Sequence, residues 1–418
     1  MMSDTGPDNH EELSNVSPSE PKPQPQSPPE PGSPVPGIKR NVFILGITSF
    51  LTDLSSETVY PLVPIFLTSV LGAPYSVVGL IEGVAESTAS VVKVFSGWLS
   101  DRWQRRRGLA ILGYSISSLS KPLMAAATVW PVVLALRFGD RLGKGIRNAP
   151  RDALIADSTE QSTRGRAFGF HRAADTAGAA LGSLLALAIL GFAGERFRTI
   201  FLISAIPAAL GVASLFLVRE RVHAHRRSKP PRLSLSQFDR RFNMFLLASA
   251  VLALGNSSDA FLILRAQNLG LSAFAAVLAY VIFNLVYSAL SMPAGSLSDR
   301  IGRRRVIGAG FVVFSLVYLG FGLAPGSVAI WPLFAIYGLY MAMTEGVGKA
   351  FAADMAPANA RGTALGTYYT VTGLLTFFSS LFAGLLWDTL GPRAPFLFGS
   401  VLGAAATALL LLALRERR

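Results

Sequence analysis

The chain has no cysteine, so neither a disulfide framework nor a thiolate metal site is open to it. Histidine is nearly as scarce: His10, His171 and the close pair His223 and His225 are the whole supply. That pair sits in a basic stretch and reads as solvated rather than as ligands. Charge is thin as well, 15% of 418 residues, against 51% hydrophobic residues and a mean hydropathy of +0.45. So little charge does not cover a soluble domain of this length; it suits a polytopic membrane protein. The net charge of +13 invites a nucleic-acid reading. The arginines, however, gather at the ends of apolar runs, the pattern that orients helices in a bilayer, and no nucleic-acid partner is expected. No cleavable leader is expected either, since the first apolar run begins only after residue 40 and is long enough to span.

What is present is a regular series of apolar runs behind a Pro-, Ser- and Glu-rich stretch at 1–38, which cannot bury a core and reads as a disordered cytoplasmic tail. A bilayer core takes about 20 residues per helix. The runs fall at 41–68, 76–98, 108–127, 130–157, 165–191 and 198–218, then at 242–267, 273–296, 306–324, 330–355, 362–387 and 394–414. This predicts an all-α membrane protein with twelve transmembrane helices in two six-helix bundles, 39–218 and 242–418, joined by a basic linker at 219–241. Lys39, Arg40, the linker and Arg415 to Arg418 fall on one side, while the loops near 69–76, 127–131, 268–273 and 323–331 lack Lys and Arg. Both termini are therefore expected in the cytoplasm.

The two halves repeat one another. Gly97-Trp98-Leu99-Ser100-Asp101-Arg102-Trp103-Gln104-Arg105-Arg106-Arg107 returns as Gly295-Ser296-Leu297-Ser298-Asp299-Arg300-Ile301-Gly302-Arg303-Arg304-Arg305. Each copy lies between two apolar runs, so it is expected to be a short charged hairpin at the aqueous rim, the one cheap place for it. Ser55-Ser56-Glu57 likewise matches Ser257-Ser258-Asp259, and Asp157 with Arg164 matches Asp354 with Arg361.

An ionisable residue inside a span is costly unless it faces a partner or a wet cavity, which makes it a functional candidate. The first half holds nearly all of them. At about 100° per residue, Arg137, Arg141, Lys144, Arg147 and Arg151 share a stripe roughly 120° wide that must face the interior. Rise per residue places Asp53, Glu57, Glu82, Glu86, Arg137, Asp140 and Arg141 in one layer. With Lys144, Asp175, Asp259 and Glu345 they form the expected coupling and substrate cavity. Arg147, Arg151, Asp152, Asp157, Arg164, Asp354 and Arg361 read as salt bridges of a cytoplasmic gate. In the second half, Tyr280, Phe283, Tyr287, Tyr337, Tyr340, Tyr368 and Tyr369 either line a pocket or pack as aromatics.

The doubled hairpin resembles motif A of the major facilitator superfamily: the second copy fits at every defining position, and the first departs at Gln104, where the family has glycine. Arg137 followed by Gly143 resembles motif B, although the usual glycine four after the arginine is Arg141 here. Gly178-Ala-Ala-Leu-Gly182 is faintly similar to motif C, with Ser183 in place of proline. The resemblance implies two parallel six-helix halves with substrate between them near the midplane. It also implies an access gate built from Gly97, Asp101, Arg102, Arg105, Arg106, Gly295, Asp299, Arg300, Gly302, Arg303 and Arg304. On this footing the chain is expected to be a monomeric secondary transporter of a small solute in a bacterial inner membrane. Protons are the expected coupling ion, no cofactor or metal is expected, and export is favoured over uptake of an anionic solute. A polytopic enzyme or sensor is the competing class, and no enzymatic activity is expected.

Overall fold

The computed structural model describes residues 35–103, 106–160, 163–220, 238–356 and 360–413. The Pro-rich tail to residue 34, most of the linker, Gln104, Arg105 and the final arginines lie outside the described residues. Within them the chain is helical, with no strand. The helices are α1 (Arg40–Val70), α2 (Tyr75–Trp103), α3 (Arg106–Leu123), α4 (Trp130–Asp157), α5 (Arg164–Ala193) and α6 (Phe197–Leu215). They continue as α7 (Arg240–Asn268), α8 (Ala273–Ile301), α9 (Arg303–Leu323), α10 (Ile330–Asp354), α11 (Arg361–Leu390) and α12 (Ala394–Ala413).

Local chemistry sets the starts. Asp239 and Ser272 cap α7 and α8, each accepting from the backbone N–H three residues on, at 2.8 and 3.2 Å. Pro131 sits in the first turn of α4, where its missing N–H costs nothing. Among the described residues nine helices are long and apolar enough to cross a membrane: α1 and α5 to α12. The three that are not, α2, α3 and α4, pack on one another and carry most of the buried charge.

In the first half α1 packs on α5 and α6, and α4 on α2 and α3. In the second, α7 packs on α11 and α12, α10 on α8 and α9, and α9 on α12. The halves meet chiefly along α2 with α11 and α5 with α8. Small residues allow the close approaches. A Cβ on Gly79 would stand 2.1 Å from the Ser380 carbonyl oxygen, and one on Gly178 would stand 2.3 Å from that of Phe50.

The charged repeat is less of a loop than its composition suggests. Helix α2 runs on through Asp101 and Arg102 to Trp103, and α8 through Asp299 and Arg300 to Ile301. In the second copy the turn is Gly302 alone, at φ 98°, a conformation that favours glycine. Two expected continuous helices are interrupted instead. Helix α6 breaks at Ser204, and α7 breaks between Gly255 and Ala260, where Asn256 leaves helical geometry.

Candidate functional site

Helix α4 presses closely on α3: a Cβ on Gly143 would stand 2.4 Å from the Gly113 carbonyl oxygen. This brings the basic stripe of α4 against the carboxylates of α2 and the polar face of α3. Arg137 grips Glu82 with Nη2 at 2.6 and 2.7 Å from the two carboxylate oxygens and Nε at 3.1 Å, both side chains being almost fully buried. Arg141 holds Glu86 at 2.8 Å. Asp140 accepts from the Ser117 hydroxyl at 2.5 Å and faces Arg137 at 3.8 Å. Tyr60 supplies a ring to both guanidinium groups, 5.4 Å from Arg137 and 5.6 Å from Arg141. Glu57, Arg137, Asp140, Arg141, Lys144 and Arg147 share one small void of about 20 Å³ with Lys121 and Ser117.

Arg147 thus lies in this central layer rather than with a gate nearer the hairpin face. Its guanidinium stacks on Tyr114 at 4.2 Å and reaches Asp53 at 3.9 Å. Helical side chains lean toward their own N-terminus, and α4 begins on the opposite face, so a long arginine reaches back toward the middle. Asp53 and Asp175 line a second cavity of about 310 Å³ between α5 and α8, together with Arg172, Asn284, Tyr287 and Ser288. Asp175 finds His171 one turn earlier on its own helix, at 3.8 Å.

The second half is organised around the break in α7. The Asn256 side-chain carbonyl accepts from the Tyr318 hydroxyl at 3.1 Å, and its amide donates to the Tyr340 hydroxyl at 3.3 Å. Asp259 accepts from Tyr337 at 2.7 Å. Glu345 takes Lys349 at 2.6 Å and the Tyr287 hydroxyl, at the edge of a cavity of about 160 Å³ that Asn256, Tyr340, Thr344 and Tyr368 also line. Tyr280, Phe283 and Tyr337 pack as aromatic neighbours, with ring centroids 5.5 and 5.0 Å apart. Two contacts tie this half to the carboxylates of the first: Ser258 Oγ stands 3.5 Å from Glu82, and the Tyr280 hydroxyl 3.5 Å from Glu57.

At the hairpin face Asp157 and Asp354 hold the first residues of α3 and α9. Arg106 meets Asp157, and Arg303 meets Asp354 at 2.7 Å and Asp299 at 3.5 Å. The expected partners Arg164 and Arg361 stand exposed as the first residues of α5 and α11. Arg151 pairs with its neighbour Asp152 at 2.9 Å. Gly295 is half-buried; Arg300 and Arg304 are exposed. Gly97, Asp101 and Arg102 lie in the last turns of α2, and Arg105 lies outside the described residues.

Sequence reasoning missed Lys121, which is 2% exposed in α3 beside Asp140's partner Ser117. It lies inside the third apolar run, so the rule that singled out the α4 cations would have found it. The role of Tyr60, Tyr114 and Asn256 carried no such signal, since neutral side chains do not stand out in an apolar sequence.

A family model described as Major Facilitator Superfamily matches residues 45–264 and 233–418. An uncharacterized MFS-type transporter of Methanocaldococcus jannaschii is 38% identical over 380 residues, covering 90% of this chain and 95% of that protein. A probable 4-methylmuconolactone transporter of Cupriavidus pinatubonensis is 28% identical over 69% of this chain and 71% of its own. Among solved structures, the nucleoside transporter NupG superposes with a TM-score of 0.74 at 14% identity, over 90% of this chain and all of the other; that likeness concerns the fold.

Proposed function

Since the chain belongs to the major facilitator superfamily, we propose that it is a proton-coupled secondary transporter that moves a small solute by alternating access. Its membership and its membrane helices make it an integral, multi-pass membrane protein. The observation that carries the coupling reading is the pair of contacts between halves. Glu57 and Glu82 belong to the first half, yet the hydroxyls of Tyr280 and Ser258 reach them from the second. When the halves rock, those carboxylates lose a donor and change their access to water, and both changes alter proton affinity. Glu57 is the first-ranked proton carrier and Asp53 the second. They sit at i and i+4 on one face of α1, and Asp53 lines the cavity between α5 and α8. Asp140 ranks third because Ser117 and Arg137 already engage it.

Helices α2, α3 and α4 cross the bilayer with the other nine, their charge turned inward, and both termini face the cytoplasm of a bacterial cell. Export is the direction that the doubled hairpin supports.

The test uses purified protein in liposomes with a pH-sensitive dye inside, challenged with a solute panel pre-selected by thermal stabilisation. Solute-dependent proton movement is expected from the parental protein. Glu57→Gln and Asp53→Asn are expected to lose gradient-driven accumulation while retaining counterflow, which needs no net proton transfer. Full gradient-driven accumulation by both variants would overturn the assignment.

A further inference from the structure

Among the described residues three cations of the central cluster keep buried donors without an acceptor: Lys121, Arg147 and, at Nε alone, Arg141. Arg137 and Arg141 each close on a carboxylate within 2.8 Å. Lys121 and Arg147 do not. Both are at least 97% buried, at 2% and 3% exposed. Lys121 Nζ has no hydrogen-bond partner, nor do Arg147 Nε and Nη1. Arg147 Nη2 is 3.9 Å from Asp53, outside hydrogen-bond range. Tyr114 occupies the face of the guanidinium but accepts from none of its N–H groups, and its own buried hydroxyl is unpartnered. Leaving buried charged donors unmet is expensive, and in native proteins a water, an ion or a ligand group normally completes the shell.

Lys121 and Arg147 line the same void, with the half-buried Lys144 beside them, and the carboxylates and hydroxyl next to them are already engaged. Ser117 donates to Asp140, which also faces Arg137. Glu57 takes the Tyr280 hydroxyl at 3.5 Å from the other half. At about 20 Å³ the void holds one water-sized group, the scale of a carboxylate oxygen. The void therefore offers two buried, unmet cations to a single anionic oxygen. One turn away along α1, Asp53 lines the separate cavity of about 310 Å³ together with Arg172 and Asp175, among Val281, Leu285, Asn284 and Ser288.

We propose that Lys121 and Arg147 form the receptor for a carboxylate group, and that the solute is an organic monocarboxylate. The word solute rests on the transporter reading; the anion receptor does not, and its test needs no transport. Melting of the purified protein is followed against benzoate, against its neutral isostere benzamide and against chloride, at constant ionic strength. Benzoate is expected to raise the melting temperature saturably, whereas benzamide and chloride are not. Lys121→Met removes an unmet buried charge, so the ligand-free variant should melt no lower than the parent. Its apparent benzoate affinity should fall by about tenfold or more, the weight of one charge-assisted hydrogen bond. Lys121→Arg keeps the charge and should retain most of the response. An equal shift with benzamide, a response to chloride alone, or an undiminished benzoate response in Lys121→Met would each overturn the proposal. The benzoate–benzamide comparison needs no variant, so it decides even if one fails to fold. Failure here with solute-driven proton movement intact in liposomes would leave a transporter of uncharged or cationic solutes.

Discussion

Glu82 and Arg137 show what a buried pair costs and what holds it. Each is at most 3% exposed, and the guanidinium places three donor contacts on one carboxylate. Removing one partner strands the other in the protein interior, a loss of about 3–5 kcal/mol when no water or new partner reaches it. Arg137→Ala and Glu82→Gln are each expected to lower the melting temperature of the purified protein markedly. The double variant Arg137→Met with Glu82→Leu should recover much of that loss without recovering transport. If the double variant melts as low as the worse single one, the pair is not an isolated unit and its charge is shared with Asp140 and Arg141. Lys121 tells the opposite story at the same scale. Its amine meets no acceptor, so replacing it should cost the fold little.

At the scale of the helix, the seam between α2 and α11 is closed by a cap that one half provides for the other. The first N–H groups of α2, from Tyr75 and Ser76, donate to the Asp388 carboxylate of α11 at 3.1 and 2.8 Å. Beside them Tyr75 stacks on Trp387 with centroids 4.5 Å apart. An N-cap carboxylate contributes about 0.5–2 kcal/mol to the state in which it is made. The cap joins the two halves at the face opposite the charged hairpins, so parting α2 from α11 to open that face would break it. Asp388→Ala should therefore shift the population toward the state open on that face by roughly fivefold. Spin labels on Val70→Cys and Val328→Cys, exposed residues of the two halves near that face, report it as a longer distance. The absence of native cysteine makes such labelling clean. An unchanged distance distribution would show that the seam is held by its close packing at Gly79 and Gly384 instead.

Across the whole molecule the same variant tests how the halves move. Opening one face of a transporter built from two rigid halves must close the other. A second label pair at Gly108→Cys and Arg304→Cys, near the first turns of α3 and α9, reads the hairpin face. In Asp388→Ala this distance should shorten in proportion as the first lengthens. Lengthening at one face without shortening at the other would mean local fraying of α2 and α11 rather than rocking. The clamps Arg106 with Asp157 and Arg303 with Asp354 hold equivalent helix ends in each half, which suits halves that move as units.

By itself the sequence determined the helical membrane class, the family and the clustering of charge on the first half. These are local quantities: run length against bilayer thickness, hydropathy per residue, and a motif written out twice. Even the i, i+4 relation of Asp53 to Glu57 and the stripe on α4 follow from helical period alone. Only the tertiary structure decided which charges meet. Whether Arg147 joins the central layer, whether Asp157 takes Arg106 or Arg164, and whether Lys121 finds an acceptor all depend on how neighbouring helices are rotated and how closely they approach. Differences of a few ångströms set those outcomes, and glycine contacts such as Gly113 on Gly143 control them. The break in α7 is of the same kind. Asn256 interrupts an apolar run because hydroxyls from α9 and α10 surround it, and those neighbours lie dozens of residues away along the chain.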